Sequence, residues 1–309
     1  VSVCLLERTF GLGGLATLGH VIVWLPICDG RGRQVAAGLA EEMLRLSVAD
    51  LGRERRTARF IGIPGCWQPG GDRAARAAER YQAHFNPSSY LLALEQWVLE
   101  AGVHLLYDTR VCAVRREADR ITHLIVENKS GRSALACETV VDATGDADVC
   151  WLAGEPTESL DSNVLAGWYY YFRDEQLHLD AMTNRYDPYA GREVAAPPFF
   201  RGDEAVSVTA HVVQTRAKLR TRMAQRLAKE PAVDFQVFGV PMIPCLRMTR
   251  RLAAPFALGE GHVHQPFEDA IGLTGDWRKA GPVYAIPYRA LTAPVNRNLL
   301  VAGRCISAD

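Results

Sequence analysis

The chain begins with Val1-Ser2-Val3-Cys4-Leu5-Leu6-Glu7, a short apolar run that ends in a carboxylate, and Gly11-Leu12-Gly13-Gly14 follows it. This order predicts the closing part of a nucleotide-binding βαβ unit, whose second parallel strand is almost wholly apolar because helices cover both faces of the sheet. An acid at the carboxyl end of that strand accepts hydrogen bonds from an adenosine ribose. Glu7 occupies this position in the pattern.

The glycine-rich phosphate loop of such a unit lies roughly 20 residues before the acid. That distance reaches beyond Val1, so we expect this sequence to be a fragment without the phosphate loop of its own nucleotide site. Glu7 alone does not decide between nucleotide classes, because NAD-dependent and methyl-donor enzymes carry a similar acid.

The composition predicts an ordinary soluble globular protein. Of its 309 residues, 48% are hydrophobic and 23% charged, which suits one large or two moderate domains. Lys+Arg and Asp+Glu are equal at 35 each, so no net charge attracts nucleic acid or an anionic membrane, and we expect a small-molecule substrate in a pocket. No apolar window is long enough for a membrane span.

The eight cysteines are dispersed and form no C-x-x-C pair, so we predict no metal site within this sequence. Several of them lie in apolar runs, which is typical of reduced, buried thiols and favours a cytoplasmic protein. A targeting segment upstream of Val1 stays an open alternative.

Residue patterns predict alternating helices and strands. Asn86-Pro87-Ser88-Ser89 is typical of a helix N-cap, and we expect that helix to end at Gly102. The other predicted elements are a helix ending at about Ser47, an aromatic strand at 168–172, a strand at 206–213, a basic helix at 216–229 and an apolar strand at 298–302.

Four β-like runs, at 103–107, 110–115, 121–127 and 134–142, predict a small β-meander with a turn at Asn128-Lys129-Ser130-Gly131. The last run leads into Asp142-Ala143-Thr144-Gly145-Asp146-Ala147-Asp148, where small residues let the backbone approach a ligand closely. A simple nicotinamide dehydrogenase or methyltransferase does not need this combination. The alternative is that Asp142 and Asp148 cap the N-terminus of a helix.

From about Pro156 the sequence contains an aromatic strand pattern and a basic helix pattern, and after Tyr284 the short apolar strand pattern of the first part returns. We therefore expect residues 1–155 and 285–309 to form one domain, with residues 156–284 inserted as a second domain.

Several segments follow one another in a fixed order: Gly13-Gly14-Leu15-Ala16-Thr17, Cys28-Asp29-Gly30, residues 140–148, Thr249-Arg250-Arg251, residues 286–291 and residues 298–307. Together they closely resemble the FAD-dependent oxidoreductase family, which includes the heterodisulfide reductase A-like flavoproteins. The resemblance spans nearly the whole chain.

This resemblance implies an α/β, glutathione-reductase-like FAD-binding fold, with a parallel sheet, helices, a β-meander and an inserted α+β substrate domain. It implies that a further helix follows Ser307 in relatives, so the C-terminal end is also expected to be missing. Many relatives carry an Asp after the last glycine, where Arg304 stands in this chain. The cofactor-binding residues that the resemblance implies are Glu7, Arg8, Gly13, Gly14, Ala16, Thr17, Ala143, Thr144, Gly145, Asp146, Gly303 and Arg304.

The candidate catalytic residues are Arg247, Arg250 and Tyr288. With Arg251, the two arginines form a dense basic cluster, and guanidinium groups suit the carboxylate or phosphate of a substrate. The alternative is a structural ion pair on a helix face or at a domain interface. Tyr288 could donate a hydrogen bond near the flavin ring, although aromatic residues at a domain junction usually serve packing.

These observations predict an FAD-dependent oxidoreductase that transfers a hydride or an electron pair between a small organic substrate and noncovalent FAD. Two alternatives stay open. The chain could be a flavin electron-transfer subunit that works with iron-sulfur partners, whose cysteine clusters would lie in missing segments or in a partner chain. It could also be a truncated remnant that binds no cofactor.

Overall fold

The computed structural model describes residues 2–49, 61–184, 197–247 and 249–308. Within them the helices are α1 (Leu39–Ser47), α2 (Pro87–Glu100), α3 (Asp148–Leu152) and α4 (Ala205–Lys229). The strands, in chain order, are β1 (Cys4–Leu6), β2 (Val23–Trp24), β3 (Ala83–His84), β4 (His104–Leu106), β5 (Arg110–Glu117), β6 (Arg120–Asn128), β7 (Gly131–Ala136), β8 (Val140–Asp142), β9 (Thr157–Ser159), β10 (Ala166–Arg173), β11 (Gln176–Thr183), β12 (Phe235–Gly239), β13 (Arg250–Leu252), β14 (Ala270–Gly275), β15 (Val283–Pro287) and β16 (Leu299–Val301).

The turns that the sequence assigned to the nucleotide site follow strands of two parallel pairs. β1 lies beside β4, with Leu6 opposite Leu106, and β8 lies beside β16, with Asp142 opposite Val301. In the part of the chain that the structure describes, these pairs are separate two-stranded sheets. The protein is therefore mixed α/β with several small sheets, and their union into one glutathione-reductase-like sheet stays a prediction.

The predicted meander is confirmed in part. β5, β6 and β7 form an antiparallel three-stranded sheet, and Asn128 faces Gly131 across the predicted turn. The first predicted run is wrong as a meander strand, because β4 belongs to a parallel pair. The last run is right over residues 134–136, which belong to β7, and wrong over residues 140–142, which form β8 of the other parallel pair. The run 134–142 is divided where the Asn298 side chain donates a hydrogen bond of 2.8 Å to the Glu138 carbonyl oxygen, next to the start of β8.

The predicted helix that ends at about Ser47 is confirmed as α1, and the predicted helix after Asn86 is confirmed as α2, which ends at Glu100. The Asn86 side-chain oxygen accepts a hydrogen bond of 3.0 Å from the Ser88 N–H, and Pro87 is the first helical residue of α2. This cap satisfies a backbone donor that has no partner within the helix. The buried residues Tyr90 and Leu94, four positions apart, turn one face of α2 toward the core.

The predicted strand at 206–213 is wrong, because these residues form the first half of α4. Three buried residues of α4, His211, Thr215 and Leu219, follow at intervals of four and therefore share one helix face. Val206 and Val213 lie outside this face and are 76% and 56% exposed. Packing of the buried face thus outweighs the strand preference of the valines.

α4 packs against the three-stranded antiparallel sheet β11-β10-β12, which contains the predicted aromatic strand within β10. Leu219 of α4 meets Tyr169, Tyr171 and Met182 of the sheet in one buried cluster. Large aromatic side chains supply most of the apolar surface that such a layer buries. This α-on-β layer lies within residues 156–284, whose limits as a domain stay a prediction.

A second cluster of buried residues lies under the β8–β16 pair. Val140, Leu299 and Val301 of the two strands pack with Val149 and Cys150 of α3. The carboxyl ends of β8 and β16 and the N-terminus of α3 are therefore held together by one core. No helix in the described ranges is both long enough and apolar enough to cross a bilayer.

Candidate functional site

The turn after β8 is built by a buried carboxylate. Asp142 is 0% exposed, and its Oδ1 accepts hydrogen bonds from the Thr144 N–H at 3.1 Å and the Thr144 hydroxyl at 2.7 Å. Its Oδ2 accepts a hydrogen bond of 2.9 Å from the N–H of Cys150 in α3. Asp142 thus accepts a hydrogen bond from the first turn of α3, in line with the alternative role at a helix N-terminus, although the N-cap residue itself is Ala147. The Asp148 side chain instead pairs with Arg250.

Thr144 continues the same network toward the solvent side of the turn. Its hydroxyl oxygen accepts hydrogen bonds from the backbone N–H groups of Asp146 at 3.3 Å and Asp148 at 3.1 Å. Between them, Gly145 has a φ of +76°, a left-handed conformation that glycine adopts without a steric penalty. Hydrogen bonds from the Asp142 and Thr144 side chains thus determine the path of this turn, and at Gly145 no side chain projects from it.

Asp146 joins three segments that are far apart in sequence. Arg304 Nη2, after β16, donates a hydrogen bond of 2.7 Å to Asp146 Oδ1. Arg8 Nη2, after β1, lies 4.0 Å from Asp146 Oδ2. The Arg304 guanidinium also covers Gly145, since its Cζ lies 2.9 Å from the position that a Cβ on this glycine would take. The structure therefore brings Arg8, Gly145, Asp146 and Arg304 together.

Glu7 lies directly after β1, and its backbone extends the parallel pair by donating from its N–H to the Leu106 carbonyl at 2.9 Å. Glu7 Oε1 accepts hydrogen bonds from the Thr9 N–H at 2.7 Å and the Thr9 hydroxyl at 2.6 Å. Within the described ranges, Oε2 has no hydrogen-bond partner. One oxygen is thus used to orient the carboxylate, and the other can accept a hydroxyl group of a ligand.

The glycine cluster forms a tight turn after Glu7. Gly13 and Gly14 have φ values of +97° and +51°, and a 3-10 turn spans Gly14–Ala16. The Thr17 hydroxyl donates to the Leu12 carbonyl and closes the turn. A Cβ on Gly14 would meet no atom within 4 Å, and the same holds for Gly303, whose φ is +82°.

These features fit a flat, anionic dinucleotide. Left-handed glycines bordered by open space let the backbone approach a ligand where a side chain would otherwise stand. An acid with one unused oxygen lies at the end of β1, and two guanidiniums lie nearby around one carboxylate. Glu7, Arg8 and Arg304 are therefore of the chemical types that bind ribose hydroxyls and phosphates, and the assignment of these residues to FAD stays a prediction.

The candidate catalytic residues lie in different surroundings. Arg250 is only 8% exposed, and its guanidinium lies 3.2 Å from Asp148 Oδ1, 3.6 Å from Asp203 Oδ2 and above the Trp151 ring. These contacts are those of a structural ion pair. Arg247 lies in the same segment but is exposed, and its backbone N–H donates to Asn163 Oδ1 at 2.8 Å.

Tyr288 is 46% exposed and begins the 3-10 turn Tyr288–Ala290. Its backbone N–H donates to the Asp269 carbonyl at 2.8 Å. No contact described for Tyr288 in these parts of the chain involves Arg8, Asp146 or Arg304, so the structure does not bring it to their cluster.

Thr249 is a site residue that sequence reasoning missed. It is buried, and its hydroxyl donates a hydrogen bond of 3.1 Å to the Gly145 carbonyl, which ties the arginine-rich segment to the turn after β8. Thr9, which orients Glu7, was missed as well. Its position two residues after the strand-end acid was an available signal. Thr249 stood in one of the segments that carry the family resemblance, but without a role of its own.

Two buried thiols near the turn, of Cys150 and Cys305, have raised pKa values. Burial raises the pKa of Cys150, and the adjacent Asp142 carboxylate raises it further. Burial and Asp142 likewise raise the pKa of Cys305. Both therefore stay protonated at neutral pH, and thiolates are the reactive form of cysteine. Within the described residues no three His, Cys, Asp or Glu side chains are grouped to hold a metal ion.

Among solved structures, aklavinone-11 hydroxylase in a ternary complex with FAD and aklavinone has a TM-score of 0.50 at 12% identity, covering 99% of this chain and 53% of that chain. The aromatic hydroxylase CabE from angucycline biosynthesis has a TM-score of 0.44 at 14% identity, and the match covers 99% of this chain and 52% of CabE. The p-nitrophenol 4-monooxygenase PnpA from Pseudomonas putida DLL-E4 has a TM-score of 0.46 at 12% identity, and the match covers 82% of this chain and 64% of PnpA.

The chain thus spans about half the length of the two hydroxylases that it matches. At this identity, the likeness to aklavinone-11 hydroxylase shows a shared fold and nothing more. A comparison with curated protein sequences finds no match. The sequence model of the family described as "FAD dependent oxidoreductase" matches residues 1–163 and 164–309. Because these matches cover the whole sequence, the chain belongs to the FAD dependent oxidoreductase family.

Proposed function

We propose that the chain forms part of a flavoenzyme that moves a hydride or an electron pair between a small organic substrate and noncovalently bound FAD. The observation that carries this proposal is the cluster at Asp146, which joins the ends of β1, β8 and β16 through Arg8 and Arg304. FAD fits such a place because its diphosphate can accept hydrogen bonds from guanidinium groups while its two ends reach the neighbouring turns.

In this proposal Glu7 Oε2 accepts a hydrogen bond from the adenosine ribose, while Thr9 holds the carboxylate in orientation through Oε1. The backbone at Gly13 and Gly14 lies along the dinucleotide, with Ala16 and Thr17 closing the turn behind it. Ala143, Thr144 and Gly145 pack near the adenosine half. Gly303 approaches the ribityl chain, because its left-handed turn borders open space.

The two arginines have a charge role. Arg8 and Arg304 place two guanidiniums around Asp146, and a guanidinium can donate charge-assisted hydrogen bonds to a diphosphate. Asp146 holds the Arg304 guanidinium over Gly145 before any ligand arrives, which lowers the entropic cost of binding. When bound, FAD supplies the electron acceptor and donor, and the protein supplies binding and orientation.

The inserted α-on-β layer supports a separate substrate region. α4 and the β11-β10-β12 sheet have their own buried cluster, which is consistent with a substrate domain at 156–284 between two cofactor segments at 1–155 and 285–309. The solved complex of aklavinone-11 hydroxylase contains FAD and a small organic molecule, which supports the same pairing of ligands here. Kinship with the heterodisulfide reductase A-like flavoproteins and a cytoplasmic location are parts of the same proposal.

Equilibrium dialysis of the full-length protein against FAD tests the proposal. We expect saturable binding near one FAD per chain and flavin absorbance in the purified protein. Glu7→Lys should weaken FAD binding by about tenfold or more, because it replaces the carboxylate that accepts from the ribose hydroxyl with an ammonium group that can only donate. Glu127→Lys, at an exposed ion pair of the meander, is the matched control and should bind normally. A colourless protein that binds no FAD would contradict the proposal.

A further inference from the structure

His20 lies three residues after Thr17, at the end of the glycine turn of the proposed FAD site. Its N–H donates to the Thr17 carbonyl at 3.3 Å, and the N–H of Val21 donates to the Leu15 carbonyl at 2.9 Å. The φ of His20 is +58°, a left-handed conformation that is uncommon for residues other than glycine and that occurs often at ligand sites. The backbone therefore holds His20 at a fixed place beside the turn.

The imidazole ring of His20 contacts the inserted layer. Its centroid lies 5.1 Å from that of the Tyr170 ring in an edge-to-face arrangement, and its Cε1 lies 3.4 Å from the position that a Cβ on Gly239 would take. Tyr170 and Gly239 face each other on β10 and β12. The N–H of Met242, after β12, donates to the Leu18 carbonyl at 2.8 Å. His20 thus lies where the first cofactor segment meets the inserted layer.

The two ring nitrogens of His20 have different surroundings. Nδ1 is buried and has no hydrogen-bond partner among the described residues. Nε2 has no partner in this part of the chain either, but it is not buried. A buried N–H without an acceptor is costly, so the single proton of the neutral ring belongs on Nε2. Burial lowers the pKa of His20, which favours this neutral ring. Nε2–H is therefore an uncharged donor that a ligand can reach.

The direction of FAD in the proposed function leads to the same place. Glu7 binds the adenosine ribose, so the flavin ring lies at the opposite end of the dinucleotide. A substrate held by the inserted layer must reach this ring, so the ring belongs where that layer meets the cofactor segment. Leu12 and Ala16 of the glycine turn pack with Tyr170 and Leu179 of the inserted sheet in one cluster. The turn therefore rests directly on the sheet that His20 contacts.

We propose that His20 positions the flavin ring of FAD, by donating a hydrogen bond from Nε2–H to a carbonyl oxygen of that ring. This inference rests on the proposed function and adds to it a contact at the ring end of the cofactor. An uncharged N–H suits an uncharged carbonyl, whereas the guanidiniums of Arg8 and Arg304 suit the diphosphate. The edge-to-face contact with Tyr170 holds the imidazole in orientation for this bond.

Equilibrium dialysis of the full-length protein against FAD and against ADP tests this contact. ADP shares the adenosine and the diphosphate of FAD but has no flavin ring. We expect His20→Phe to weaken FAD binding about three- to tenfold, because one hydrogen bond is lost, and to leave ADP binding within about twofold. His20→Gln retains a side-chain N–H and should keep more of the FAD affinity than His20→Phe.

His20→Asn is a second variant without the donor at Nε2. Asparagine also accepts a left-handed φ, but its amide ends near the position of Nδ1, so this variant should lose FAD affinity selectively as well. His264→Phe is the matched control, because His264 has the same φ of +58°, is exposed, and donates its N–H to the Val283 carbonyl at 2.8 Å. This control should bind FAD and ADP normally.

The absorbance band of bound flavin gives a second measurement on the same samples. It should shift in His20→Phe and stay unchanged in His264→Phe, because only the first change alters hydrogen bonding to the ring. Unchanged FAD affinity in both His20→Phe and His20→Asn, or an equal loss of FAD and ADP affinity, would overturn the inference. Wild-type protein that binds no FAD would contradict the proposed function itself, whereas insensitive variants of a protein that binds FAD contradict only the role of His20.

Discussion

Arg304 donates a hydrogen bond of 2.7 Å to Asp146 across 158 residues of sequence, and so joins the turn after β16 to the turn after β8. The pair places a carboxylate and a guanidinium side by side where these two turns meet. Arg8, at 4.0 Å from the same carboxylate, brings the end of β1 to the same point.

Asp146→Asn tests the role of this pair. The change removes the charge that holds Arg304 while leaving a similar shape, so we expect FAD binding to weaken severalfold and the free energy of unfolding to fall by roughly 1–2 kcal/mol. Equilibrium dialysis and urea unfolding measure the two effects. Asp119→Asn, at an exposed ion pair with Arg297, is the control, and identical results for the two variants would refute a special role for Asp146.

Gly145→Ala tests the close contact between this glycine and Arg304. Gly145 and Gly131 both have a left-handed φ, of +76° and +97°, but a Cβ meets Arg304 at Gly145 and nothing within 4 Å at Gly131. Both alanine variants should lose roughly 1–2 kcal/mol of stability from backbone strain. Only Gly145→Ala should weaken FAD binding, because only there does the methyl group displace the guanidinium. Equal FAD affinity in both variants would contradict this account.

Local sequence signals predicted the elements that depend on local contacts. The N-cap of α2 and the turn between β6 and β7 involve residues within a few positions of each other. The separation of β8 from the meander was not predicted, because it depends on Asn298, which contacts Ile121 and Glu138 from far along the chain. Residues 206–213 were wrongly predicted as a strand for the same reason. Their valines prefer strands, but packing of the opposite face of α4 makes this segment helical.

Arg250→Met distinguishes a structural from a catalytic arginine. Removing a buried guanidinium leaves Asp148 and Asp203 without one of their partners, so we expect a loss of about 3 kcal/mol in the free energy of unfolding. Arg132→Met, at an exposed pair, should cost less than about 1 kcal/mol. Urea unfolding gives both values. An Arg250→Met protein of normal stability that has lost turnover would restore the catalytic role that the sequence suggested.

The lowered pKa of Asp203 predicts that the free energy of unfolding falls in acid. The hydrogen bond from Arg201 lowers the pKa of Asp203 from 3.8 to about 2, against the opposing effect of burial. Because the folded state has the lower pKa, the stabilisation is complete above pH 4 and is lost as the pH falls from about 4 to about 2. Asp203→Asn should flatten the fall in unfolding free energy over this interval. An unchanged slope would show that other carboxylates control it.

The site was predictable in its parts and not in its connections. Glu7, Gly145 and Gly303 stand in recognisable local patterns of strand end and turn. The contacts that bring them together, from Arg304 to Asp146 and from Thr249 to Gly145, span 158 and 104 residues and follow from strand pairing. The same applies to Arg247 and Arg250, which are alike in sequence but differ in burial once the chain is folded.

The central claim is that one FAD molecule lies across the turns that follow β1, β8 and β16. Amide hydrogen exchange of the full-length protein, with and without FAD, measures this directly. We predict that added FAD slows exchange together in residues 7–17, 143–148 and 303–306, and leaves the turn at residues 128–131 of the meander unchanged. Protection that omits any one of the three turns, or no protection at saturating FAD, would contradict the claim.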